Sequence, residues 1–257
     1  MPRRPRQVSS TGMYHIVFRG VNRCHLFEER ADYLMLIDHL STVKQELGME
    51  LLAYCLMSNH VHLILRERSP KDITVMMKKV LSAYATWFNK KYERCGALIA
   101  NRYKSKPIED DSYLLTVVRY IHHNPSSAGI AQGLDRYEWS SYCDYLRGAS
   151  AFTTTDFVLS LFHSDRQTAV SRFVDFHSVA PIEDYSEPEK TRKSDSQVRV
   201  EMMSLLGGRE PHTVVGFPRQ KRNDVLVSLR GQGLSIRQVE RVTGISRGVI
   251  AIAWQSA

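Results

Sequence analysis

Two strand-like runs meet almost end to end in this sequence, and that junction limits the fold more than any other feature. "MELLAYCLM" closes at Met57 and "HVHLILR" opens at His60, leaving Ser58 and Asn59 as a short turn between them. Two strands joined so tightly pair antiparallel, since a parallel pair needs a long crossover. Upstream, "MYHIVFRG" alternates Tyr14, Ile16 and Phe18 against His15, Val17 and Arg19, the period of another strand. A helical stripe follows from Arg30, with Tyr33, Leu36, Ile37, Leu40, Val43 and Leu47 apolar and Gly48 as its end. After the hairpin, Ser69 is expected to cap a helix with Pro70 in its first turn. Its apolar face runs through Ile73, Met76, Met77, Val80, Leu81, Tyr84, Trp87 and Phe88 toward Gly96. "RYKSKPI" reads as a short strand. "DDSYLLTVVRYIHHNP" reads as a helix capped by Asp111 or Ser112 and stopped by Pro125.

The order β-α-β-β-α-β-α predicts an α+β fold: a ferredoxin-like, split βαβ antiparallel sheet with helices on it. Beyond about Gly148 the texture changes. "FTTTDFVLSLFHSDRQTAVSRFVDFHSV" looks helical, with Phe157, Leu161, Val170, Phe173 and Val174 apolar, and "APIEDYSEPEKTRKSDS" reads as a linker. Residues 1–150 are therefore expected as one domain, 151–189 as a helical, acidic connector and 190–257 as a small all-α domain.

Charge follows the same division. Lysines and arginines against acids number 21 to 15 over residues 1–150, 2 to 7 over 151–189 and 12 to 5 over 190–257. Two basic blocks around an acidic one suggest two polyanion-binding units. Cys24, Cys55, Cys95 and Cys143 are scattered with no CxxC pair, which argues against a disulfide framework and for a reduced, cytoplasmic setting. No segment reaches the apolar length of a membrane span, so no membrane partner is expected.

Residues i and i+2 of a strand face the same way, so His60 and His62 share a side with Ile64 while Val61, Leu63 and Leu65 turn to the core. Two neutral imidazoles so placed can grip one cation, although two buried histidines bonded to backbone would give the same pattern. In the helix before Pro125, Tyr120 and Asn124 stand four residues apart on one face, with Tyr113 and Val117 earlier on it and His123 at its border. That helix could bring a phenol and a carboxamide to the histidine pair. Tyr120 packing on the sheet and Asn124 ending a helix are the plainer alternatives.

"CLMSNHVHLIL", "YATWFNKKY", "NRYKSKPI" and "YLLTVVRYIHHNPSSAGI" together resemble the single-tyrosine transposases of the His-hydrophobe-His (HUH) superfamily, in particular the REP-associated and insertion-sequence members. The likeness spans residues 8–150. It implies a domain that cuts and rejoins single-stranded DNA beside hairpins, with His60 and His62 as metal ligands, Tyr120 as nucleophile and Asn124 as third ligand. Asparagine rather than glutamine at that last position leans toward the REP-associated branch. Compact relatives work as dimers with shared sites, so a homodimer stays open.

The chemistry asks for these parts. A divalent ion, Mg²⁺ or Mn²⁺ by the donor set, would neutralise the phosphodiester and fix it in line for attack. A tyrosyl ester keeps the bond energy for rejoining, which hydrolysis would lose. Arg102 and Lys104, among aromatics, are the expected DNA contacts. In the tail, "LSIRQVERVTGISRGVI" has the look of a helix-turn-helix: a Ser235–Gln238 capping box, Gly244 at the turn, Ser246 as second cap and Arg247 placed to reach duplex DNA. "RNDVLVSLRGQG" would support it, closed by Gly231 or Gly233. A DNA-binding regulator with an idle site, or a phosphodiesterase that does not use the tyrosine, remain the alternatives, and DNA association would place the protein at the nucleoid.

Overall fold

A computed structural model describes residues 6–148, 150–181, 195–232 and 234–255. Most of the expected linker and Gly233 lie outside them. Four strands form one antiparallel sheet: β1 (Met13–Arg19), β2 (Glu50–Met57), β3 (His60–Arg66) and β4 (Lys104–Ile108), in the order β2-β3-β1-β4. The hairpin turns on Ser58 and Asn59 as the sequence requires, with Met57 opposite His60. An irregularity between Leu51 and Ala53 lets Leu51 face one side and both Leu52 and Ala53 the other.

Two cores follow from the strand alternation. On one side α1 (Arg30–Leu47) and α2 (Asp72–Lys91) lay Leu36, Leu40, Val80, Tyr84 and Phe88 against Ile16, Phe18, Val61, Leu63 and Leu65. On the other, α3 (Asp111–Ser127) sets Leu114, Val117, Tyr120 and Ile121 against Met13, Cys55, Met57 and Ile64. Gly48 ends α1 at a φ of 62°, a left-handed turn that costs glycine little.

Three expected helix ends are corrected. Asp110, not Asp111 or Ser112, caps α3, accepting from the Tyr113 amide at 2.7 Å. Ser69 does not cap α2: Lys71 does so by position, and Asp72 instead reaches back to the Ser69 amide at 2.7 Å. Pro125 does not stop α3, which runs to Ser127. Proline removes only its own amide donor, and a last turn that needs no further bond from it can continue.

The second core also extends past the expected boundary near residue 150. Short helices α4 (Tyr142–Arg147), α5 (Asp156–Ser160) and α6 (Arg166–His177) contribute Tyr145, Val158, Leu159 and Phe173 to it. Segment 139–141 bonds to the outer edge of β2, Leu56 N to Trp139 O at 2.9 Å and Ser141 N to Tyr54 O at 3.0 Å. The expected connector is thus partly a cover for the sheet.

The chain divides into two compact units, Met1–Tyr185 and Ser186–Ala257. The second has its own core: α7 (Asp195–Leu205), α8 (Arg219–Gly231), α9 (Ile236–Thr243) and α10 (Arg247–Gln255) bury Val198, Met202, Leu226, Leu229, Val239 and Ile250. Ser235 and Gln238 form a reciprocal capping box at α9, and Gly244 ends it at a φ of 77°. Among the described residues no helix is long and apolar enough to cross a membrane.

Candidate functional site on the helix-covered face of the sheet

Strand register assembles the site. Val17 lies opposite His62 and Lys104, Arg19 opposite His60, and His15 opposite Ile64 and Lys106. Opposed residues of an antiparallel pair project to the same side. His15, His60, His62, Arg19, Lys104 and Lys106 therefore share one face, the face that α3 covers.

The imidazoles pack against one another there, His60 edge-on to His62. His60 and His62 rings stand 5.1 Å apart by centroid, and His62 stacks on His15 at 5.2 Å. His60 Nδ1 sits 2.7 Å from the side-chain oxygen of Asn59, in the turn. An amide oxygen only accepts, so that nitrogen donates and His60 Nε2 keeps its lone pair. His62 Nδ1 is 2.9 Å from His15 Nε2, while His62 Nε2 is fully buried with no partner.

Tyr120 reaches this group from α3, its ring 5.6 Å from that of His62 and 6.4 Å from that of His15, both edge-on. Asn124, one turn later, donates Nδ2 to the Tyr120 carbonyl at 3.0 Å and bonds His60 with its side chain. The structure thus brings together all four residues that the sequence singled out, and adds His15. Its position in an apparently ordinary strand gave no signal; only the β1–β3 register sets it beside His62.

Burial keeps the three imidazoles neutral. It lowers His60 to about 4, aided by the Arg19 charge and opposed by the Asn124 contact. It lowers His15 to about 3, with Lys106 adding to it. His62 falls well below the ordinary range through burial first, then through His15, His60 and Arg19. Neutral rings hold lone pairs ready for a cation. Among the described residues no cluster of three or more His, Cys, Asp or Glu side chains could hold a metal ion. Any ion here would rely on two imidazoles and the Asn124 amide. Cys55 lies opposite His62, but burial pushes its thiol far up, which withholds a thiolate. The orphaned Nε2 of His62, with the His60 imidazole and the Asn124 amide close by, fits a divalent cation with nitrogen and oxygen donors.

The remaining expected residues lie elsewhere. Arg102 is exposed in the loop before β4, and Lys104 is exposed on the edge strand. Lys106, beside it, stands 4.6 Å over the Tyr113 ring. In the second unit Arg247 begins α10, paired with Glu240 at 2.6 Å.

Residues 8–124 match the family model described as transposase, IS200-like. No curated protein matches the chain. A solved REP-associated tyrosine transposase bound to a REP hairpin is similar in fold, with 16% identity and a TM-score of 0.50 over 61% of this chain and 93% of its own. A Deinococcus radiodurans R1 protein assigned as a transposase has 22% identity and a TM-score of 0.32 over 44% of this chain and 91% of its own. Residues 8–124, which hold the sheet and the part of α3 that bears Tyr120, carry the match to the IS200-like transposase family.

Proposed function

We propose that this chain is a DNA strand transferase that cuts and rejoins single-stranded DNA through a covalent phosphotyrosine on Tyr120. The observation that carries the reading is convergence: Tyr120 on α3 meets His62 on β3, next to His60, with Asn124 bonded to His60. The strand order β2-β3-β1-β4 with helices on both faces supports a ferredoxin-like catalytic domain.

His60, His62 and Asn124 would hold a divalent ion, Mg²⁺ or Mn²⁺, which when bound offsets charge on the phosphate and orients it. The phenol oxygen of Tyr120 attacks phosphorus, the P–O bond to the adjacent sugar breaks, and that sugar leaves with a free hydroxyl. The new phosphotyrosyl ester is then open to attack by another strand's hydroxyl, which restores the phenol. Bond count is conserved, so rejoining needs no ATP. Low water access on this buried face protects the ester from hydrolysis.

Lys104, on the same face as His62, and Arg102 beside it would track the DNA backbone. The hairpin in the similar transposase structure suggests the same class of partner, a single strand carrying a palindromic element. The C-terminal unit would act as a helix-turn-helix, with Arg247 toward duplex DNA. All four site residues come from one chain, so the site needs no second copy, whether or not the protein forms a homodimer.

The test is retention of label. Hairpin-flanked single strands carrying a label are mixed with the protein and Mn²⁺, and the protein is then denatured. Wild type should keep label covalently and Tyr120→Phe should not. Retention unchanged by that substitution would overturn the assignment of the nucleophile. Metal-dependent cutting that survives it would indicate a phosphodiesterase, and duplex binding without cutting a regulator.

A further inference from the structure

His15 is buried, uncharged and bonded to His62, yet the reaction proposed above gives it nothing to do. One hydrogen links His15 Nε2 and His62 Nδ1, and it can sit on either nitrogen. If His15 donated, His62 would carry its proton on Nε2. That atom is fully buried with no partner, so an N–H would be stranded there. If His62 donates, the buried Nε2 is a lone pair instead, the form that a cation satisfies. His60 is oriented in the same way, because Asn59 claims its Nδ1 hydrogen and turns Nε2 toward the site.

We propose that His15 is a positioning residue that holds His62 in the Nδ1–H form and so presents its bare Nε2 to the site, doing for His62 what Asn59 does for His60. The role rests on the metal-assisted reading of the site, but its first consequence is visible without metal. A carboxylate is the common partner for a ligating histidine. A neutral imidazole here accepts the hydrogen without bringing negative charge to a buried face that must also receive a phosphodiester.

The experiment uses the full chain labelled with ¹⁵N-histidine, in metal-free buffer, and reads long-range ¹H–¹⁵N correlations. Signals of His62 are identified by their loss in His62→Gln. Nδ1 of His62 should appear as the protonated nitrogen and Nε2 as the bare one; the reverse pattern overturns the proposal. Mn²⁺ affinity is then measured by electron paramagnetic resonance. His15→Phe should lower it about 10- to 100-fold. His15→Gln, whose carbonyl can accept the same hydrogen, should recover most of it. Equal affinity in wild type and His15→Phe overturns the proposal. Expected protonation together with no Mn²⁺ binding even in wild type would leave His15's role standing and bring down the metal reading instead.

Discussion

Two groups of histidines border α3, and they are wired in opposite ways. Beneath the helix, His15, His60 and His62 leave one buried nitrogen, His62 Nε2, with no partner. His122 and His123 on the helix itself and His177 at the end of α6 form a closed circuit. His122 uses both nitrogens, toward Ser141 Oγ at 2.8 Å and His177 Nε2 at 3.0 Å. His177 Nδ1 donates to the Phe173 carbonyl at 2.8 Å, and His123 Nε2 donates to the His177 carbonyl at 2.9 Å. Ser141 in turn accepts from the Tyr54 amide at 2.9 Å, tying the circuit to β2. Burial keeps both groups uncharged, so burial alone does not tell them apart. What differs is completeness: a satisfied set holds helices together, and an unsatisfied one waits for something.

The contrast can be broken at either end. The largest effect is expected for His60→Gln, which should reduce Mn²⁺ affinity by a factor on the order of 100 and remove covalent labelling, with little change in melting temperature. A large loss of stability with binding intact would reverse the roles of the two groups. His122→Leu should do the opposite. It strands His177 Nε2, leaves Ser141 Oγ with Tyr54 alone and should cost about 2–4 kcal/mol in urea unfolding, while the folded fraction keeps its Mn²⁺ affinity.

Acid sharpens the comparison. His177 is held at about 3 by burial, and His122 well below the ordinary range by burial and then by His177 and His123. Between the unfolded value near 6.5 and these folded values, the unfolded chain binds more protons, so stability is full above about pH 6.5 and falls as pH drops. Each such group adds up to about 1.4 kcal/mol per pH unit in that window. Urea midpoints at pH 7, 5.5 and 4.5 in metal-free buffer should decline, and less steeply in His122→Leu. A flat series would mean that these rings are not neutral in the fold.

The smallest effect is expected outside both groups. Lys104→Ala should weaken single-strand binding only a few fold and lower the salt slope by roughly 0.7, as one lost phosphate contact would. Anisotropy titrations at several salt concentrations check it, and an unchanged slope would remove Lys104 from the DNA path.

The two groups also mark what the sequence could and could not disclose. His60 and His62 are legible because strand alternation is local, and Tyr120 and Asn124 because helical spacing is local. Their meeting across some sixty residues was suggested by likeness to a family rather than by the pattern itself. His15 was invisible, since it becomes a neighbour of His62 only through the β1–β3 register. His177 was hidden in a stretch that reads as a connector, and only packing against α3 and β2 reveals it as part of the core. The helix starts at Asp110 and Lys71 were misplaced because neighbouring residues there offer competing caps, and the stop expected at Pro125 failed because a last turn can do without that amide.

The terminal strand carries one more consequence. β4 closes the order of the sheet, with Lys104, Pro107 and Lys106 along it, whereas segment 139–141 shields the opposite margin at β2. A bare margin invites another chain to zip onto it, and lysine and proline are the residues that discourage this. Lys104, proposed to guide DNA, and Lys106 would then also keep protein molecules apart. Replacing both together would remove an electrostatic guard along with a ligand contact, so clumping of the doubly substituted chain is to be measured before any loss of DNA affinity is credited to the phosphate backbone.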